Sequence, residues 1–295
     1  METNQEILSK VPVTKTFFVG VDSDGCAFDT MELKHKECFI PEFIRCFGLQ
    51  AVSKHARGAW EFVNLYSRDR GINRFLGLLH TLEVLSTHPD VKNQGFTVPQ
   101  LPVLSSWAKN EKRLGNEALQ EAAEKEDSEE LNKVLEWSMN VNSCIQKTVT
   151  NMPPFPWVRE SLSALSDYAD IMVVSSANKE SLDQEWSESR LKRYVHFIAH
   201  QDLGKKQDHI RYSASGRYNP SSILIIGDAP GDFNAARSNN ALFYPIVPGE
   251  EAYSWNRLLN QGIPRFIKGG FSGEYQQQLI NDFFDHLPEL PPWQE

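Results

Sequence analysis

Four aspartates, a serine and a lysine pair are the residues whose types and spacing could do chemistry in this chain: Asp22 and Asp24, Ser175, Lys205 and Lys206, and Asp228 and Asp232. Asp22 and Asp24 stand two residues apart after an apolar run. In an extended segment that spacing sends both side chains to one side, where they can serve one bound group as nucleophile and helper. Carboxylates held that close, and joined by Asp228 and Asp232, repel one another in a partly dry site unless a cation is present. A hard ion with oxygen ligands is implied, and Mg2+ is the natural candidate. It keeps several waters and takes one or two protein carboxylates plus a phosphate oxygen. Ser175 offers a hydroxyl donor to a phosphoryl oxygen, and a lysine offers a point charge that offsets phosphate. Gly25 lets the backbone turn tightly after Asp24. Phosphate-monoester hydrolysis calls for all of these at once, because enzymes accelerate it by up to about 10²¹.

The elements that must position these residues read as follows. TFFVGV, residues 16–21, is a β-branched and aromatic run that breaks at Asp22-Ser23-Asp24-Gly25, the pattern of a buried strand entering a polar loop. From residue 30 to residue 151 only helical periodicity follows, in MELKHKECFIPEFIRCF, around AWEFVNLY, in FLGLLHTLEVL, and in NEALQEAAEKEDSEELNKVLEWSMNVNSCI. Asp127 followed by Glu130 and Leu131 could restart a helix there, although a solvated charged face explains the same acidic run. After MPPFP at 152–156 the texture changes to alternating helices and short apolar runs: IMVVSS, VHFIA, SSILIIGD and ALFYPIV. Such strands, separated by helix-length segments, indicate a parallel sheet covered on both faces. The expected fold is therefore α/β, a doubly wound parallel-sheet core over residues 1–29 and 152–295. An inserted all-helical domain occupies residues 30–151. The tail from about Glu250 is expected to pack on the core. In an open parallel sheet, ligands bind beyond the carboxyl ends of the strands, and all the residues named above fall there.

Composition narrows the partners. The chain has 295 residues, a net charge of −9 and a pI near 5.5. No basic run or patch for a polyanion accompanies that balance, so nucleic acid and anionic membrane surfaces are not expected partners. The N-terminus lacks the apolar core of a signal peptide, and no stretch approaches the ~18 apolar residues of a membrane span. A cytoplasmic protein, monomer or homodimer, with a small phosphorylated substrate is the expectation. Cys26, Cys38, Cys46 and Cys144 form no C-x-x-C pair and read as reduced thiols, Cys26 being a small residue in a turn rather than a catalytic thiol. His35, His55, His80, His196, His200 and His209 show no metal-type spacing.

Taken together, DSDG at 22–25, Ser175 in VVSSAN, Lys206 or Lys205, and GDAPGD at 227–232 closely resemble the signature motifs of the haloacid dehalogenase-like superfamily. The resemblance implies a phospho-aspartyl mechanism. Asp22 would attack phosphorus, and Asp24 would protonate the leaving oxygen and then activate water. Asp22, Asp228 and the backbone carbonyl of Asp24 would hold Mg2+, and Asp232 would support it. Ser23, Gly25, Ser176, Ala177 and Lys205 would line the phosphate. Lys206 is favoured over Lys205 as the motif lysine by its spacing to the apolar Ile210. The helical block takes the position of that family's cap and is expected to open and close over the core. Arg70-Gly71-Ile72-Asn73-Arg74 resembles the cap loop of the β-phosphoglucomutase-like subgroup, which makes Arg74 the candidate for a substrate anion. Dehalogenase members lack the acid at Asp24 and ATPase members replace it with threonine, so phosphatase or phosphomutase chemistry is implied. A phosphonate (C–P) hydrolase would need a Schiff-base lysine such as Lys34, Lys36 or Lys54. A reading of another class is a phosphate-binding or regulatory protein that turns nothing over.

Overall fold

The computed structural model describes residues 2–294, so the two end residues of the expected core lie outside it. The chain divides into two compact units. One is formed by the N-terminal residues through Met31 with Asn151–Leu287, and the other by Glu32–Thr150 with the C-terminal residues from Pro288.

The first unit is built on a five-stranded, wholly parallel sheet: β1 (Phe17–Val21), β2 (Ala169–Val174), β3 (Phe197–Ala199), β4 (Ile223–Gly227) and β5 (Leu242–Pro245), in the order β3-β2-β1-β4-β5. The doubly wound α/β architecture expected from the alternating apolar runs is thus present. Because successive side chains point to opposite faces, each strand feeds two cores. Val19, Val21, Ile171, Val173, Leu224 and Ile226 pack with Leu162, Trp186 and Trp255 on one face. Phe18, Met172, Val174, Ile223, Ile225 and Phe243 pack with Ile210, Ala236 and Phe283 on the other. The sheet is therefore buried on both sides, which is why its strands read as unbroken apolar runs. Gly20 has no side chain for a reason. A Cβ there would sit 2.8 Å from Ile225 Cδ1 and 3.1 Å from Val174 Cγ2. The strand order reverses about β1, whose neighbours are β2 and β4, and the loops leaving β1 and β4 open at that switch point.

The regular elements among the described residues of the second unit are all helices, joined by loops. Its main helices are Ile40–Phe47, Ser53–Leu65, Arg74–Thr87, Pro102–Asn110, Asn116–Glu126 and Glu129–Thr148. They enclose an aromatic centre in which Trp60 lies 4.9 Å from Phe43 and 5.8 Å from Trp137, centroid to centroid. The acidic stretch does restart a helix, but the cap is Ser128, whose Oγ accepts from the Leu131 amide at 3.2 Å. Asp127 instead closes the preceding helix in a left-handed conformation, φ 47°. The tail divides. The helix Glu274–Asp285 packs on β5 through Phe283 and Phe243, whereas from Pro288 onward the chain joins the helical unit, with Trp293 against Phe62. Among the described residues no helix is long and apolar enough to cross a membrane.

Candidate active site

Strand register carries the polar residues to one end of the sheet. Asp22 extends the ladder by one bond beyond β1, its amide donating to Ile226 O at 3.0 Å, and Asp228 follows directly on β4. Ser175 likewise continues β2 through its amide to Ala199 O at 3.1 Å. Beyond Asp22 the chain turns sharply. Gly25 has φ 74° and its amide donates to Phe28 O at 2.8 Å.

Asp22, Asp228 and Asp232 each bring a carboxylate oxygen into a group in which all three lie within 4.8 Å of one another. All three residues are almost wholly buried, at 5%, 1% and 1% exposure. Lys206 bridges two of them, its Nζ 2.7 Å from Asp22 Oδ2 and 2.7 Å from Asp232 Oδ1. Lys206 opens the helix Lys206–Ser213, an end where a positive charge is unfavourable to the helix dipole. Its place is explained by the two carboxylates instead. Lys205 is exposed at the cap of the same helix, so only the second lysine of the pair reaches the group. Asp232 sits in the first turn of Pro230–Ser238 and also accepts from the Ala229 amide at 3.2 Å. Gly227 makes room for it. A Cβ on residue 227 would fall 2.3 Å from Asp232 Cγ.

The carboxylates are crowded: three of them, all buried, share this small volume, and Lys206 bridges Asp22 and Asp232. Burial is the main cause that pushes Asp22 up to about 6, and Asp232 adds to it against the opposing pull of Lys206. Asp232 is raised as well, by burial and by Asp228. Asp170 shows the contrast. It is equally buried but accepts from the amides of Thr14 and Lys15 and from the hydroxyls of Thr14 and Tyr218. Its pKa falls below the usual carboxylate range despite burial, because those hydrogen bonds outweigh desolvation. Asp170 is a satisfied structural acid, whereas Asp22 and Asp232 are held above their usual range by burial and by neighbouring carboxylates. An all-oxygen, nearly dry donor set of crowded carboxylates fits a hard divalent cation.

The remaining residues singled out by sequence are placed as follows. Asp24 is half-buried, and its Oδ1 accepts from Thr30 Oγ1, apart from the three-carboxylate group. Ser175 is buried, its Oγ accepting from the Ala177 amide at 3.1 Å, which leaves the hydroxyl hydrogen to donate outward. Ser176 is exposed and Ala177 half-buried in the same loop. The Ser23 hydroxyl is turned inward, held by Glu185 Oε2 at 3.1 Å and Trp186 Nε1 at 2.9 Å. Ser23 therefore has only its backbone to offer a phosphate. The Cys26 thiol is fully buried and pushed well above its usual value by burial and by Asp228 and Asp22, which disfavours the thiolate there. Arg74, in the helical unit, donates to Ser138 Oγ at 2.9 Å and Asn142 Oδ1 at 2.7 Å and lies over the Phe39 ring. Burial alone, with neutral partners, lowers its pKa to about 10. Thr30 and Gly227 were not singled out by sequence reasoning. The glycine of GDAPGD carried a signal, the threonine six residues past Asp24 none.

Residues 107–244 match the model of a family described as haloacid dehalogenase-like hydrolase. That span contains Ser175, Lys206, Asp228 and Asp232, and the sheet puts Asp22 beside the last three from outside it. Over that span the chain is similar to the haloacid dehalogenase-like hydrolases. No curated protein matches this chain. Among solved structures, a haloacid dehalogenase-like family protein from Streptococcus pneumoniae is 12% identical, over 82% of this chain and 92% of that one, with a TM-score of 0.43. A predicted phosphoglycolate phosphatase from Haemophilus somnus is 11% identical over 80% and 88%, with a TM-score of 0.45. An L-2-haloacid dehalogenase from Xanthobacter autotrophicus is 13% identical over 88% and 85%, with a TM-score of 0.37.

Proposed function

We propose that this protein is a Mg2+-dependent phosphatase of the haloacid dehalogenase-like type that acts on a small phosphorylated metabolite through an aspartyl-phosphate on Asp22. The observation that carries the reading is the buried cluster of Asp22, Asp228 and Asp232, with Lys206 bridging Asp22 and Asp232 and a further acid, Asp24, two residues past the nucleophile. Asp22, Asp228 and the Asp24 carbonyl would hold Mg2+, supported by Asp232. Bound there, the ion would offset charge on the phosphate oxygens. An Asp22 oxygen attacks phosphorus as the bond to the leaving oxygen breaks, and Asp24 gives that oxygen its proton. Asp24 then takes a proton from water as the water attacks phosphorus, which releases phosphate and restores Asp22. Thr30 fixes the Asp24 carboxyl between these transfers. The Ser175 hydroxyl and the Lys206 ammonium meet phosphate oxygens, while Lys206 also keeps Asp22 oriented.

Asp24 favours a phosphatase over a dehalogenase, which has no use for an acid there. A C–P hydrolase would require a lysine able to lose its proton. Lys36 is bound to Glu32 and, at 3.0 Å, to Tyr66 Oη, and these contacts hold its ammonium well above its ordinary pKa in spite of burial. Arg74, a charged group whose hydrogen-bond partners are neutral oxygens, is the residue of the helical unit proposed for a substrate anion.

The test is phosphate release from an aryl phosphate with and without Mg2+, beside Asp22→Asn. Metal-dependent release that disappears in the variant is expected. Release that survives Asp22→Asn or chelation would overturn the mechanism, and a protein that binds phosphate without turnover would be the non-catalytic alternative.

A further inference from the structure

The helical unit contains a second cluster of ligand-type side chains, unrelated to the carboxylate group. His55, in the helix Ser53–Leu65, meets His88, which stands between the helices Arg74–Thr87 and Pro89–Asn93. His55 Nδ1 lies 3.2 Å from His88 Nε2, and Asp90 Oδ2 lies 3.9 Å from His55 Nε2. One ligand atom from each of the three residues falls within 4.8 Å of the others. The sequence offers no metal-type spacing here; folding creates it from positions 33 residues apart.

We propose that His55, His88 and Asp90 form a site for a divalent ion of the Zn2+ class. Two nitrogens bound at 2.0–2.1 Å to a tetrahedral ion stand roughly 3.3 Å apart, so the His55–His88 separation is close to one edge of such a polyhedron. Imidazole nitrogen selects this class of ion over Mg2+, which takes oxygen, and three protein ligands leave a fourth position for water. The rings are also supported from outside. Trp293 packs on His88 with centroids 4.5 Å apart, and Gln294 Nε2 bonds Thr87 Oγ1 at 2.5 Å. A bound ion would thus tie the helix Ser53–Leu65 to the His88 corner on which the C-terminal tail rests.

The hydrogen bonds define the state the ion must replace. His88 Nδ1 accepts from the Asp90 amide at 3.2 Å, which puts the His88 proton on Nε2, directed at His55 Nδ1. Metal entry moves that proton from Nε2 to Nδ1. The move breaks the bond from the Asp90 amide and releases the exposed Asp90 corner to bring its carboxylate to the ion.

The test uses the whole protein in excess Mg2+, which occupies oxygen sites, titrated with Co2+ and followed by visible absorption. The expected result is the intense spectrum of tetrahedral Co2+ saturating at about one equivalent. It should be retained in Asp228→Asn and lost in His55→Ala and His88→Ala, each checked for folding by circular dichroism. If either alanine variant fails to fold, His88→Gln and Asp90→Asn carry the comparison. An unaltered protein that shows no such spectrum, or variants that keep it, would overturn the assignment.

Discussion

Replacing Lys206 by methionine keeps most of the side chain's length and apolar packing while removing its ammonium. In the folded protein that ammonium stands 2.7 Å from each of two nearly dry carboxylates, Asp22 and Asp232. Breaking a buried ion pair from one side costs about 3–5 kcal/mol, because the charge left behind has neither water nor partner. Here the carboxylates have a partial escape, which is to protonate. Burial already raises both, and in both the lysine opposes the rise, so its removal moves them further upward. A group whose folded pKa exceeds its unfolded value contributes stability that is complete below the unfolded pKa and lost as pH rises through the folded one. The defect in Lys206→Met should therefore be smallest near about pH 5 and approach the full ~3–5 kcal/mol by about pH 8 in chelator. Mg2+ should recover part of it by supplying positive charge to the same oxygens. Urea unfolding followed by tryptophan fluorescence, at several pH values with and without Mg2+, measures all of this. A loss under about 1 kcal/mol at the alkaline end, or one that does not change with pH, would mean that Lys206 is not what balances these acids.

Four further outcomes are expected. Asp22→Asn should lower turnover of an aryl phosphate at least ~10³-fold with little change in unfolding midpoint, measured by phosphate release and by melting. Mg2+ at about a hundred times its Kd should add about 2.7 kcal/mol, a rise of roughly 5–10 °C in Tm over the chelated protein. In chelator, the raised Asp22 should make stability fall as pH climbs from about 4 through about 6, and added Mg2+ should flatten that slope; a Tm indifferent to metal and pH would contradict the carboxylate site. Gly227→Ala puts a Cβ 2.3 Å from Asp232 Cγ, so Asp232 must shift; a loss of about 1–3 kcal/mol together with a weakened Mg2+ response is expected by urea titration, and an unperturbed protein would show that the packing there is loose.

What the sequence determined by itself is what depends on short-range pattern. A strand buried on both faces must be continuously apolar, and it must stop where polar groups are needed, so TFFVGV before Asp22 and ILIIG before Asp228 mark both the sheet and the end at which its carboxylates gather. The helical block was equally legible from its 3.6-residue period, with the capping residue displaced by one, since Ser128 and Asp127 are both competent and only backbone conformation chooses between them. Tertiary structure alone decided the rest, because it turns on which atoms meet across long separations. Lys205 and Lys206 are chemically equal, and only the orientation of their helix against Asp22 and Asp232 selects one. Ser23 sits inside the DSDG motif, yet its hydroxyl is drawn to Glu185 and Trp186 on another helix. Neither Thr30 against Asp24 nor His55 against His88 follows a periodicity that a sequence can display, since each contact is set by how turns and helices pack rather than by spacing along the chain.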